Sequence, residues 1–181
     1  QTSGQHRMGK RDGGWKHSGP GNVIRAVHWK VGKLEGPYEY EFQMGFPFRP
    51  KCRLSFADGK LTHCDGQALE NRLYNLLQSG VIADPRLAEE LGRTYDYQFF
   101  DTPLKDALAM LAKRHEVAIE IDSTKLVDST RPLRECFVDI DLCNTLTLLT
   151  DPHGLGCDYR YGCLWITTAD DVHDWSDPTG V

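Results

Sequence analysis

No run of apolar residues in this chain approaches the roughly 18 that a membrane-spanning helix needs, so it carries no helical span. No Cys-x-x-Cys pair occurs, which leaves a zinc ribbon or a thioredoxin-type site without support. No Gly-x-Ser-x-Gly elbow and no phosphate-cradling glycine loop of either common kind is present. Gln1 does not begin a signal-peptide pattern, since the first stretch is polar and basic with no apolar segment after it. The chain does have 40% hydrophobic and 26% charged residues over 181 positions, enough for a core and for one or two domains.

Charge is divided unevenly. Residues 1–33 hold seven Lys or Arg against Asp12 alone, a balance of +6, whereas the other 148 residues hold 14 basic against 25 acidic side chains, −11. Residues 1–21 carry six glycines and no hydrophobic period, so they read as a flexible basic arm. Such an arm can contact phosphates or an anionic surface, with Trp15 and Trp29 as stacking groups. It can equally be a solvated start, or fold back on the acidic body.

From residue 22 the pattern alternates as strands do. Val27 and Trp29, then Tyr38, Tyr40, Phe42 and Met44, take turns with polar neighbours, broken at Gly36-Pro37 and again at Pro47 and Pro50. The aromatic stripe is interleaved with glutamates, which favours a core face over a nucleic-acid platform. Asp58-Gly59 reads as a two-residue hairpin turn. Such a turn sets Cys52 opposite Asp65 and Cys64 opposite Arg53, one register step apart. A bulge would bring the two thiols close enough for a disulfide. After Gly66 the period becomes helical, with Leu69, Leu73, Leu76 and Leu77 on one face and a stop at Gly80. A second short helix comes next, capped by Asp84 with Pro85 at its first position. This reading makes 22–92 a β-meander plus two helices.

Beyond residue 93 the expected order is strand-helix-strand, then strand-helix-strand-strand. Thr102 caps the first helix, with Pro103 as its first residue, and Leu104, Ala107, Leu108 and Leu111 form its apolar stripe. Asp141 caps the second, Gly154 stops it, and the last two strands turn at Tyr161-Gly162. The runs Phe100-Asp101-Thr102-Pro103-Leu104-Lys105-Asp106-Ala107-Leu108 and Leu164-Trp165-Ile166-Thr167-Thr168 resemble the N-terminal short domain of secretins and TonB-dependent receptors. The likeness is closest to copies in planctomycete-type envelope proteins, and it covers residues 93–170. It implies a bacterial periplasmic module of two helices on small sheets, without a catalytic residue, that binds another protein. The chain departs from those whole proteins: it lacks a train of barrel strands, and His115-Glu116 stands where a glycine commonly ends the first helix.

Chemistry finds little else. Asp139 and Asp141 lie two apart, and Asp101 and Asp106 bracket a helix start, but paired-carboxylate catalysis needs facing groups about 5–9 Å apart across a cleft. His115 reads as a helix-terminus residue. His63, Cys64, His153 and Cys157 are the nearest thing to a metal cluster, and they come in two distant pairs. The acidic tail, 171–181, offers a docking peptide in which Trp175 anchors while Asp171 and Asp174 steer a basic partner.

The sequence thus describes an α+β protein: an N-terminal antiparallel meander with helices, then a two-helix βαβ-βαββ module with small sheets. The expected role is non-enzymatic protein–protein interaction in the periplasm or another extracytoplasmic compartment. The expected partner is another envelope protein or a second copy, and no cofactor, metal or small-molecule substrate is indicated. A nucleic-acid or anionic-surface binder using the basic arm, and a small metal-dependent hydrolase, stand as alternatives.

Overall fold

The computed structural model describes residues 2–18, 24–41, 51–124 and 132–174. The chain divides into two units, 1–71 and 72–181. The division falls well before residue 93, because the two helices expected to close the meander pack instead on later elements of the chain. Helix α1 (Arg72–Gln78) lies on strand β11 (Leu155–Arg160), and α2 (Pro85–Gly92) lies on α4 (Leu142–Thr150).

The first unit is one antiparallel sheet of seven strands in chain order: β1 (Thr2–Arg7), β2 (Lys10–Ser18), β3 (Ile24–Lys30), β4 (Lys33–Glu41), β5 (Lys51–Ala57), β6 (Lys60–Cys64) and β7 (Gln67–Ala68). Residues 2–18 are therefore a paired hairpin, which corrects the flexible arm. Its hydrophobic signal is missing because Arg11 occupies the place that Leu34 and Leu61 take one residue after Gly-Lys in later hairpins. Leu34 and Leu61 are buried there, with Trp29, Tyr38, Leu54 and Phe56. Arg11 instead stacks on two rings, its guanidinium 5.3 Å from Trp15 and 5.2 Å from Trp29. Gly4 makes room for this arrangement, since a Cβ there would stand 2.2 Å from the Trp15 ring.

A repeated device holds the hairpins. The turns Met8-Gly9, Val31-Gly32, Asp58-Gly59 and Asp65-Gly66 all have two residues with positive φ, the turn whose twist matches paired strands. Val31, β-branched at φ 48°, is strained there. Relief comes from the preceding hairpin: the Val31 N–H donates to Asp12 Oδ1 at 3.0 Å, and the Gly32 N–H to the Arg11 carbonyl at 2.8 Å. One hairpin later the pattern recurs, with Asp58 N–H to Glu35 Oε2 at 2.8 Å and Gly59 N–H to the Leu34 carbonyl at 2.8 Å. The motif behind it is Gly-Lys-x-acid-Gly, at 9–13 and again at 32–36. In each copy a break in register lies beside the acid, between Ser3 and Gln5 on the partner strand in the first and between Val27 and Trp29 in the second. Such bulges re-aim side chains, here toward the next turn.

The same kind of bulge decides the expected disulfide. The register shifts between Ser55 and Phe56, so Cys64 stands opposite Leu54 rather than Arg53. Cys52 and Cys64 are then two positions apart across the pair. Diagonal neighbours of that kind have Cα atoms about 7–8 Å apart, beyond the usual reach of a bridge. Cys64 carries a thiol, and the side chain of Cys52 lies outside the described residues.

The second unit has the expected order. Strand β8 (Thr94–Thr102), α3 (Leu104–His115) and β9 (Ile119–Ile121) are succeeded by β10 (Leu133–Asp141), α4, β11 and β12 (Cys163–Thr168). Strand β10 pairs with β8; β11 pairs with β12, which takes β9 as a parallel neighbour. Asp84 caps α2 and Asp141 caps α4 as the sequence indicates. Helix α3 begins one residue late, with Pro103 in the cap position, while the Thr102 hydroxyl donates to the Phe100 carbonyl at 3.1 Å. A last helix, α5 (Ala169–Asp174), extends order into the stretch expected as a tail, because Val172 is buried over Gly156 of β11. Among the described residues no helix is long and apolar enough to cross a membrane.

If the acids hold the turns, Glu35→Ala should cost about 1 kcal/mol in urea unfolding and speed amide exchange at Asp58. Glu35→Gln, which keeps an acceptor oxygen, should lose less than half of that. Equal exchange at Asp58 in all three proteins would mean that the turn stands alone.

Candidate partner-binding site

Helix α4 sets the frame of the second unit. All nine of its residues are buried. Most of its polar side chains are answered within the helix or at its cap. The Thr147 and Thr150 hydroxyls donate to the Cys143 and Leu146 carbonyls at 3.3 and 2.9 Å. Asp141 accepts from the Asn144 N–H at 2.8 Å and from its side-chain amide at 2.7 Å. Burial outweighs these hydrogen bonds and pushes the Asp141 carboxyl up to about 6 from 3.8.

Against this frame β8 presents Tyr97 and Phe99, both buried, with rings stacked and their centroids 6.5 Å apart. A polar tie joins α2, β8 and α3 beside them. His115 is buried, not merely terminal, and its Nδ1 lies 3.0 Å from Glu90 Oε2 while its Nε2 lies 3.0 Å from the Tyr97 hydroxyl. Hydrogen bonding from His115 holds the Glu90 carboxyl below its ordinary range, so Glu90 is an acceptor. Nδ1–H then donates to Glu90, and Nε2 meets the Tyr97 hydroxyl, which carries its own proton. Burial pushes the Tyr97 phenol well above its ordinary value, so that proton stays in place. Glu90 also takes Arg93 at 2.7 Å. With His115 and Tyr97 both sealed from solvent, this trio positions elements; it offers no nucleophile to a substrate.

Glu116, in the left-handed conformation at φ 53°, fills the position where a glycine commonly ends the first helix, and it pairs with Arg86. Beside the tie runs a groove of about 370 Å³. Tyr97, Gln98 and Phe99 of β8 form one wall, and Met110, Leu111, Lys113 and Arg114 of α3 form the other. Arg114 is fixed by the strand: its guanidinium lies 5.0 and 5.3 Å from the Tyr95 and Tyr97 rings and donates to the Asp96 carbonyl at 2.9 Å. Met110 is 54% exposed, an apolar side chain turned toward water at the rim.

His115 apart, which lies in the tie beside it, none of the described residues singled out from the sequence as candidates for chemistry or binding lines this groove. Asp171 accepts from the Thr167 hydroxyl at 3.2 Å, and its N–H donates to Thr168 Oγ1 at 3.2 Å, so it anchors α5. Trp175 and the side chain of Asp174 lie outside the described residues. Trp29 is buried and Trp15 is half-buried against Arg11 and His6, so the first unit does not offer the two rings as an open stacking pair. Asp101 pairs with Arg134 at 2.5 Å. Asp139 sits in a bulge of β10, its N–H on Asp96 Oδ1 at 3.0 Å, so it does not share a strand face with Asp141. His63 Nδ1 meets the Thr62 hydroxyl at 3.1 Å, and Cys157 is buried, which raises its thiol. Among the described residues no three His, Cys, Asp or Glu side chains are grouped to hold a metal. Glu90, Tyr97 and Arg114 escaped the sequence reading; the one trace of them was the basic last turn Lys113-Arg114-His115.

The Asp141 shift has a pH signature. A carboxyl whose folded value is raised from 3.8 to about 6 favours folding when protonated, and that contribution disappears as pH climbs through this window. The wild type should lose about 3 kcal/mol between pH 3.5 and pH 7 relative to Asp141→Asn, whose amide oxygen still accepts from Asn144. Parallel pH–stability curves for the two proteins would show that Asp141 keeps an ordinary acidity.

No protein-family model matches the chain, and no curated protein matches it. Two solved chains resemble it distantly, both described as a "putative anti-sigma factor" from Parabacteroides distasonis ATCC 8503. One is 10% identical over 88% of this chain and 79% of its own, with a TM-score of 0.37. The other is 8% identical over 93% and 86%, also with a TM-score of 0.37. A likeness of that size carries no argument about fold or function.

Proposed function

We propose that this protein is a non-enzymatic interaction module of the bacterial cell envelope, with its second unit serving as the partner-binding part. The observation that carries this reading is the groove between β8 and α3. It combines buried aromatic rings, an exposed methionine and two cations, and the polar tie beside it is sealed from solvent. Partner recognition needs a rigid wall with apolar anchors and a charged rim, and the Glu90–His115–Tyr97 tie supplies the rigidity. The resemblance of residues 93–170 to the secretin and TonB-receptor short domain supports the same role and an extracytoplasmic location. The order of β8, α3, β9, β10, α4, β11 and β12 agrees with that layout.

The test is photo-cross-linking of the full chain in its own cells, with benzoylphenylalanine placed at Met110 and, separately, at Tyr161, which is 89% exposed at a hairpin tip. The expected result is a discrete adduct with one envelope protein or with a second copy. Adducts confined to nucleic acid or cytoplasmic proteins, or no protein adduct from either position, would overturn the proposal.

A further inference from the structure

The second unit is acidic overall, with 10 Lys or Arg against 19 Asp or Glu. Its groove breaks that rule: the only charged side chains lining it are Lys113 and Arg114. One wall is the edge of a strand. Strand β8 pairs with β10, and among the described residues no strand pairs with its other edge. The direction of its peptide groups is marked by a hydrogen bond to α3: the Asp96 carbonyl accepts from Arg114. Peptide groups alternate in direction along a strand, so that of Gln98, two residues on, turns the same way, toward α3 and the groove.

We infer that the groove takes an extended, acidic segment of a partner protein, which adds to β8 as a further strand. Main-chain hydrogen bonds at Gln98 supply affinity that is indifferent to sequence. Selection comes from the side chains, which alternate along an added strand. One set faces Met110, the exposed apolar side chain of the groove, and is apolar. The charges beside Lys113 and Arg114 are carboxylates. Lys113 is exposed and carries no ion pair among the described residues, so it is available to them. Arg114 is already oriented by Asp96 and the tyrosine rings, which lowers the ordering cost of meeting an anion. A nucleic acid fits poorly, because the acidic surroundings repel a phosphate backbone while a peptide carries its few charges only where the cations stand. This inference rests on the partner-binding reading above and gives it a partner chemistry.

The probe is a fluorescein-labelled nine-residue peptide alternating valine and glutamate, titrated into the full chain by fluorescence anisotropy. A valine–lysine peptide, a valine–glutamate peptide interrupted by proline, and a short DNA duplex serve as comparisons. The expected result is binding of the first peptide alone, with the Gln98 amide becoming protected from hydrogen exchange. Lys113→Glu, at an exposed position that leaves the fold intact, should weaken binding at least tenfold. Lys113→Arg should retain it. Binding of the lysine peptide or of DNA with similar strength, unchanged affinity in Lys113→Glu, absence of protection at Gln98, or no binding up to millimolar peptide would each overturn the inference. The two levels separate in the cross-linking experiment: an envelope partner captured from Tyr161 but never from Met110 removes the groove and keeps the interaction module. Loss of protein adducts from both positions removes both.

Discussion

The second unit depends on a helix that has no solvent face. With α4 enclosed on every side, its neighbours are disposed around it: α1, α2, β10 and β11 all lie against it. A helix buried in this way must satisfy its own ends, since water cannot. Asp141 does so at the N-terminus and is itself driven toward neutrality by the burial that makes it necessary. Thr145 departs from the pattern: its buried hydroxyl makes no hydrogen bond within the helix and stands toward Tyr97 of β8. Everything nearer the surface, including the groove, is positioned relative to this rod.

The sequence made the second unit legible because its signals are local. Asp84-Pro85 and Asp141 are caps read within four residues, Tyr161-Gly162 is a two-residue turn, and the stripe Leu104, Ala107, Leu108, Leu111 needs only one helix to interpret it. The misplaced start of α3 is a one-residue matter of which residue, Thr102 or Pro103, holds the cap. The polar tie was hidden for the opposite reason. His115 reaches Glu90 and Tyr97, which are 25 and 18 residues away, and no periodicity links them.

The first hairpin was illegible for a chemical reason. Periodicity recognises apolar residues, and Arg11 does an apolar residue's job by laying a flat cation between two indole rings. The unit boundary was obscured similarly, because α1 comes directly after the meander in sequence while its partner β11 begins at Leu155, far along the chain. There Arg72 meets the buried Asp158 at 3.2 Å, and Arg160 meets it at 3.0 Å. Only the finished fold reveals which neighbour a helix prefers.

The acids that hold the meander's turns also give it an arrow in time. Asp12 precedes Val31 in the chain, and Glu35 precedes Asp58, by 19 and 23 residues. As the chain leaves the ribosome, each carboxylate therefore emerges before the turn it will hold. A new hairpin can close on a template already present, and neither turn waits for a residue still to be made. The sheet can thus be assembled from its N-terminal edge, each of these two turns closing on a carboxylate that lies earlier in the chain.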